Sequence, residues 1–311
     1  MEIEKVSIIG CGALGLMYAS HFSKSLAPGQ LQFIADPARI DRYRASEFII
    51  NGESQCFEFV SSELSATAVE PSDLVIFAVK SYGLADAISS VQNYVTDQTL
   101  ILSFLNGISS EGIIAQAFNP QKVVTSMVAG MDSTKSGNSV NYSQVGYVAF
   151  GSEAGRVQND PADLARLARF FDRVKQPYER QEDVTKPLWW KYMLNVGINQ
   201  TSALLNAPYR LFQESAYAQE IMLMAMREVA AVGAKLGIGL NEGDIDDAIR
   251  IIYTLSPDGK TSMFQDIDAR RPSEVDIFSG VLIELAHKHG VPVPVNTFLY
   301  NAIKALESQY I

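Results

Sequence analysis

Cysteine is scarce in this chain: Cys11 and Cys56 are the only two in 311 residues. Two thiols cannot build a disulfide framework or a zinc site, so a reducing, cytoplasmic setting is expected. Positive charge is short as well, with 25 Lys and Arg against 35 Asp and Glu and a formal net charge of -10. Nucleic-acid binding asks for a basic stripe that this balance does not provide. A small anionic ligand needs only local positive groups and stays open. No apolar run approaches the ~20 residues of a membrane span, and the opening MEIEKVSIIG lacks the basic-then-apolar pattern of an export signal. Histidine is limited to His21, His287 and His289. His287 and His289 stand two apart near a helix end and face different ways, with no ligand set beside them, so no metal is expected. Fixed-period repeats and low-complexity segments are missing too.

Hydrophobic residues are plentiful at 47%, enough for two domains with a core in each. Short runs rich in Val, Ile, Leu and Phe occur at Val6–Ile9, Gln32–Ala35, Leu74–Val79, Leu100–Leu105 and Val123–Val128. Near-continuous apolar runs of this kind suit parallel strands covered on both faces. Amphipathic stretches at Ala13–Ser25, Leu84–Tyr94 and Ser109–Phe118 lie between them, which reads as βαβ units in a doubly wound sheet. Asn51-Gly52 interrupts the alternation and suits a hairpin turn. Tyr147–Phe150 and a helix over Pro161–Val174 are expected to close this part. From Val184 onward the pattern is helical, with segments at Lys186–Leu205, Ala216–Leu236, Gly243–Tyr253, Val275–His289 and Thr297–Leu306. The expected fold is therefore an α/β dinucleotide-binding domain of Rossmann type over residues 1–182, followed by an all-α domain over 183–311.

Gly10, Cys11, Gly12, Ala13, Leu14 and Gly15 follow the first strand and open a helix. GxGxxG is weak alone and strong in this context. The first glycine permits a tight turn, the second admits a pyrophosphate to the backbone, and the third lets helix and strand pack closely. The helix N-terminus adds free N–H groups and a positive dipole. Cys11 reads as a small filler. Asp36 closes the second strand, where a carboxylate accepts from the ribose 2′-OH of NAD and repels the 2′-phosphate of NADP. Arg39, Arg42 and Arg44 follow, either as phosphate ligands or as a solvated helix face, so local residues leave NAD and NADP both open. Lys80 and Asn106 each follow a further strand at the edge where open α/β sheets bind ligands; a solvated lysine and an Asn-Gly turn are the plainer readings. GKTS at Gly259–Ser262 is no P-loop, because Thr254 stands where the earlier glycine is needed.

In KPLWWKYMLNVGINQTSALL, Lys191, Asn195 and Asn199 recur every four residues among residues that want burial. Positions i, i+4 and i+8 share one slowly drifting helix face. That face is either solvated or the lining of a pocket, for which directed amides beside one ammonium are suited. A dinucleotide site implies hydride transfer, and carbonyl reduction needs a proton donor at the oxygen. With the histidines poorly placed, Lys191 is the better candidate.

These motifs carry a family resemblance over nearly the whole chain. GCGALG, FAVKSYGLADAI, LNG at Leu105–Gly107, LWWKYMLNVGINQTSAL and TSMFQDIDARRPSEVDIFSGVLIELAHKHGVPVPVNTFLY resemble the ketopantoate reductases, and the last two stretches are the specific ones. The resemblance implies a second domain like the C-terminal domain of 6-phosphogluconate dehydrogenase. It implies Lys191 as general acid, Asn195 and Asn199 lining the substrate site, and Ser262 binding the substrate carboxylate. It further implies Glu274 by the substrate hydroxyl and nicotinamide, Asn106 between cofactor and substrate, and Lys80 toward the adenosine side. With Glu274 near Lys191, as the resemblance implies, its carboxylate keeps the ammonium charged; from its own residues, Ser262 also reads as a helix N-cap.

Two positions depart from the family pattern. Asp36 stands where an arginine commonly takes the NADP phosphate, so NADP(H) follows from the resemblance and NAD(H) from Asp36. Tyr209 stands where a second-helix asparagine meets the substrate, leaving Asn206 or Tyr209 to substitute. The expected reaction is NAD(P)H-dependent reduction of 2-dehydropantoate to (R)-pantoate, in pantothenate synthesis. The alternatives are an NAD-dependent D-2-hydroxyacid dehydrogenase acting on another 2-oxo acid and, in another class, a dinucleotide-sensing regulator without turnover. A small-molecule partner is expected, with monomer and homodimer both open.

Overall fold

Val6–Ile9 (VSII) is buried at all four residues and forms β1, an inner strand of a sheet, as its largely apolar run requires. The structure, a computed structural model, describes residues 2–311. Its contacts divide into two units, one running to Asn106 and resuming at Ser110–Val184, the other formed by Gly107–Ser109 and Thr185–Ile311.

In the first unit the further strands are β2 (Leu31–Ala35), β3 (Phe48–Ile50), β4 (Glu53–Gln55), β5 (Phe59–Ser61), β6 (Leu74–Phe77), β7 (Leu100–Ser103), β8 (Val123–Met131), β9 (Thr134–Ser136), β10 (Ser139–Asn141), β11 (Val145–Ser152) and β12 (Tyr178–Asp183). Eight make one sheet in the order β12-β11-β8-β7-β6-β1-β2-β5. From β5 to β8 every neighbouring pair is parallel; β11 then pairs antiparallel with β8 and parallel with β12. The covering helices are α1 (Ala13–Ser23), α2 (Pro37–Arg44), α3 (Leu84–Val91), α4 (Ser110–Ile114) and α5 (Pro161–Arg173). Tyr18 and Phe22 of α1 pack on Phe104 and Phe170, with ring centroids 4.8 and 5.5 Å apart. The strand–helix alternation read from the sequence is present, and Asn51 (φ 50°) and Gly52 (φ 84°) turn β3 into β4, as a two-residue I′ hairpin requires.

Two local expectations are corrected. The helix expected over Ser109–Phe118 is α-helical only over Ser110–Ile114. The unit ends on β12, not on α5. That strand, YERQED, has no fully buried residue, so it carries none of the apolar signal by which strands are read. The helix face read for Arg39, Arg42 and Arg44 is present: Pro37–Arg44 is helical, with Asp36 as N-cap.

The second unit is helical: α6 (Thr185–Leu205), α7 (Tyr209–Glu214), α8 (Ala216–Lys235), α9 (Glu242–Thr254), α10 (Ser262–Asp268), α11 (Ser279–His289) and α12 (Pro294–Glu307). Helix α6, with 21 residues, is ~30 Å long and runs through the centre. It meets α8 at Gly197, where a Cβ would stand 2.6 Å from Met226 Cγ and Cε. Its polar residues enter the core by bonding back to their own helix. Gln200 donates to the Val196 carbonyl at 2.8 Å, and Thr201 to that of Gly197 at 2.7 Å.

Candidate active site

In the first unit, four candidate positions come to one edge. Gly10 follows β1, Asp36 follows β2, Lys80 follows β6 and Asn106 follows β7. These four strands are adjacent and parallel, so their carboxyl ends share a rim. The chain leaves β1 for β2 on one side and reaches β6 on the other, which makes the β1/β6 gap the switch point where such sheets bind ligands.

The glycine loop fills that gap with three distinct demands. Gly10 has φ +112°, and a Cβ on it would lie 2.4 Å from the Ala78 carbonyl oxygen beyond β6. At Gly15 a Cβ would lie 2.0 Å from the Gly10 carbonyl oxygen, so helix and turn touch through bare backbone. Gly12 differs: it caps α1 in extended conformation, and its nearest neighbour for a Cβ is Ala78 O at 3.8 Å. The first and third glycines serve packing, while the second leaves open backbone at a helix N-terminus. That combination fits a dinucleotide pyrophosphate. Ala13 and Leu14 form the first turn behind it, both half-buried. Burial pushes the Cys11 thiol up to about 12, so it stays protonated and acts as filler.

Asp36 is held by its own helix. Its Oδ1 accepts from the Arg39 N–H at 2.8 Å and its Oδ2 pairs with Arg39 Nε at 3.3 Å. The carboxylate stays half-exposed at the end of β2. Arg42 lies over the Tyr43 ring, 5.3 Å from its centroid, and Arg44 reaches the Phe59 carbonyl. Lys80 and Asn106 are both half-buried.

In the second unit, Lys191 and Asn195 are half-buried on α6 and Asn199 is buried. Two buried links tie other candidates to this helix. Tyr192, next to Lys191, donates from its hydroxyl to the Phe278 carbonyl at 2.6 Å. Phe278 ends the 3-10 turn Val275–Ile277, whose N-cap is Glu274; that carboxylate is 5% exposed. Near the other end, Ser202 Oγ donates to the Asn199 carbonyl at 3.1 Å and lies 2.5 Å from Thr261 Oγ1.

Thr261, not Ser262, caps α10, accepting from the Phe264 N–H at 3.1 Å. The cap sits one residue earlier than expected, and Ser262 is left exposed at the head of the helix. Tyr209 opens α7 with its N–H on the Gly259 carbonyl at 3.0 Å, and its ring lies against the bare Cα of Gly259. Burial raises its phenol, which therefore stays neutral. Asn206 is exposed at φ 50°, just past α6. Tyr192, Ser202 and Thr261 were not legible as site residues: in the sequence each is one more apolar or small side chain of a packed helix. His21 donates to or accepts from nothing catalytic; it meets the Lys175 carbonyl at 3.3 Å, and burial lowers its pKa.

Models of the ketopantoate reductase PanE/ApbA family match residues 6–155, and of its C-terminal part residues 183–307. The chain belongs to the ketopantoate reductase family. Its relatives include the 2-dehydropantoate 2-reductase of Shigella flexneri, 26% identical over 306 residues, 98% of this chain and 96% of that protein. The enzyme of the same name from Aquifex aeolicus is 25% identical over 310 residues, 98% and 97% of the two chains. In fold, a ketopantoate reductase of Ralstonia eutropha JMP134 superposes with a TM-score of 0.82 at 24% identity, covering 98% of this chain and 99% of that one. A D-mandelate dehydrogenase bound to NADH and anilino(oxo)acetate superposes at 0.85 with 21% identity, covering 98% and 99%. As a ketopantoate reductase family member, the chain is an oxidoreductase of the CH–OH type that uses a nicotinamide dinucleotide. No described helix is long and apolar enough to cross a membrane.

Proposed function

We propose that the protein reduces 2-dehydropantoate to (R)-pantoate, with residues 1–182 holding the dinucleotide and 183–311 supplying the acid and the substrate contacts. The observation that carries this reading is the row Lys191, Asn195, Asn199 on α6, whose two ends are locked by Tyr192–Phe278 and Ser202–Thr261. Gly10 to Gly15, Asp36 and Lys80 would hold the cofactor. When bound, the dinucleotide supplies hydride to the 2-oxo carbon. Lys191 then gives a proton from its ammonium to the oxo oxygen, so that the ketone becomes a secondary alcohol. The Glu274 carboxylate keeps that ammonium charged and oriented. Asn106, Asn195 and Asn199 donate amide N–H groups to the substrate oxygens, and Ser262 takes the carboxylate. Tyr209 walls the substrate end.

Asp36 supports a second reading, an NAD-dependent D-2-hydroxyacid dehydrogenase acting on a branched or aromatic 2-oxo acid. Its half-exposed carboxylate opposes a 2′-phosphate, and Tyr209 in place of an amide alters the substrate end. Initial rates with ketopantoate, benzoylformate and 2-oxoisovalerate, each with NADH and NADPH, separate the two. Ketopantoate turned over fastest supports the first reading, and benzoylformate fastest supports the second. A clear NADPH preference means that Arg39 or Arg42 holds the phosphate in spite of Asp36. Cofactor binding with no turnover of any oxo acid would restore the sensor. The same reading takes the enzyme as cytoplasmic, in line with two unpaired cysteines. It also takes it as a homodimer, the state described for a Staphylococcus aureus ketopantoate reductase; light scattering tests this.

A further inference from the structure

Glu111, on α4, is 3% exposed and has no part in the reaction proposed above. Its Oε2 accepts from the Ser110 hydroxyl at 2.9 Å, and Ser110 Oγ lies 2.8 Å from Ser103 Oγ. Ser103 Oγ in turn accepts from the Leu105 N–H at 3.3 Å, while the Ser103 carbonyl accepts from Ser126 Oγ at 3.0 Å. Ser103, Ser110 and Ser126 are all buried. A row of hydroxyls thus runs from a carboxyl group to the amide one residue before Asn106.

The charge on Glu111 decides which way that row points. A carboxylate only accepts. The Ser110 proton must then face Glu111, the Ser103 proton must face Ser110, and a Ser103 lone pair is left for the Leu105 N–H. Every donor in the row has an acceptor. A protonated Glu111 can donate to Ser110 instead. The Ser110 proton then turns on Ser103 Oγ; the Ser103 proton loses its acceptor and must share the two remaining tetrahedral positions of that oxygen with the Leu105 N–H, which weakens the last link.

We propose that Glu111 is a positioning residue: its carboxylate orients the Ser110–Ser103 row and so holds the backbone leading into Asn106, and its protonation loosens that backbone. The functional consequence rests on the reading of Asn106 as a cofactor- and substrate-side residue. Burial pushes the Glu111 carboxyl up to about 7, the Ser110 hydrogen bond and the Arg156 guanidinium pull it down, and the Glu153 carboxylate pushes it further up. Glu111, Glu153 and Arg156 line one cavity of about 280 Å³, together with Thr125. Thr125 donates to Glu153 at 3.0 Å, and Arg156 is ion-paired with the same carboxylate. The Arg156 guanidinium lies over Gly112, where a Cβ would be 3.1 Å from Nη1. The cavity gives water and protons a way to the carboxyl that its own burial does not.

The test is the Leu105 amide resonance of the whole protein, followed by ¹H–¹⁵N NMR from about pH 5 to about pH 9, in the wild type, Glu111→Gln and Ser110→Ala. The wild-type resonance should titrate with a midpoint of about 7, and the shift should vanish in both variants. Ser110→Ala keeps the carboxylate and cuts only the row, so it serves if Glu111→Gln folds poorly. A flat wild-type curve, or an unchanged one in Glu111→Gln, overturns the proposal. In parallel, wild-type kcat should drop roughly two- to tenfold on the acid side, the worth of one neutral hydrogen bond, and Glu111→Gln should lose that limb with KM for the cofactor unmoved. An amide that titrates in a protein turning over no 2-oxo acid defeats the reductase reading and leaves the row standing. Normal turnover with a flat amide does the reverse.

Discussion

The glycine loop and helix α6 are built on opposite principles. At the loop the groups proposed to act are backbone, and the geometry depends on side chains being absent: Gly10 and Gly15 have no room for a Cβ, and Gly12 has room but leaves it empty. On α6 the groups proposed to act are side chains, Lys191, Asn195 and Asn199, and the helix backbone only spaces them. A backbone site is written in a few consecutive residues. A side-chain site depends on which helices lock the row from either side, here through Tyr192 to Phe278 and through Ser202 to Thr261.

The largest expected effect separates the two directly. Lys191→Ala should lower kcat ~10²- to 10⁴-fold, the usual share of a general acid, while a fluorescence titration finds dinucleotide affinity unchanged. Unchanged turnover would remove Lys191 from the chemistry.

Within the loop, the glycines should divide. Gly15→Ala drives a Cβ to 2.0 Å from a carbonyl oxygen and should cost about 3 kcal/mol of stability by forcing the backbone apart. Gly12→Ala meets only ordinary contact and should unfold within about 0.5 kcal/mol of wild type, yet bind the dinucleotide more weakly. Equal melting of the two variants would erase the distinction between packing and binding glycines.

Glu111 extends the comparison to a buried side chain of the first unit. Its carboxyl is raised from 4.5 to about 7, so between those values the folded protein holds a proton that the unfolded chain has released. Stability from this group is complete below pH 4.5 and is lost as pH rises through about 7, by up to about 3 kcal/mol. Urea midpoints at about pH 5 and about pH 8 should show that slope in the wild type, and Glu111→Gln should flatten it.

The smallest effect is at Gly197, a backbone contact inside the side-chain helix. Alanine would press on Met226 and Met222, which are flexible, and its better helix propensity offsets part of the strain. A net loss of about 1 kcal/mol by denaturant titration is expected. A larger loss, with kcat falling too, would mean that α6 is spaced by its backbone as strictly as the glycine loop is.

Legibility followed the range of the interaction. Buried parallel strands such as Leu74–Phe77 and Leu100–Ser103 are readable because both faces demand apolar residues. The turn at Asn51-Gly52 is readable because few residues accept positive φ in succession. By contrast, β12 is hidden, since an edge strand with exposed side chains needs only backbone pairing. The cap of α10 falls on Thr261 and not Ser262, and Thr261 also pairs with Ser202 of α6, a partner 59 residues away. Glu111 shows no local signal either; the Ser110–Ser103 row on one side and the Glu153 and Arg156 charges on the other come to it only after the sheet forms.

By itself the sequence determined the two-part plan, the glycine loop with Asp36, and the row of Lys191, Asn195 and Asn199, because each follows from spacing along one strand or one helix. Only the tertiary structure decided what holds that row, which glycines serve packing, and that Glu111 is buried at the end of the hydroxyl row leading to Leu105. Hydrogen bonds between distant hydroxyls and the burial of a carboxyl group are properties of packing. No periodicity along a single chain encodes them.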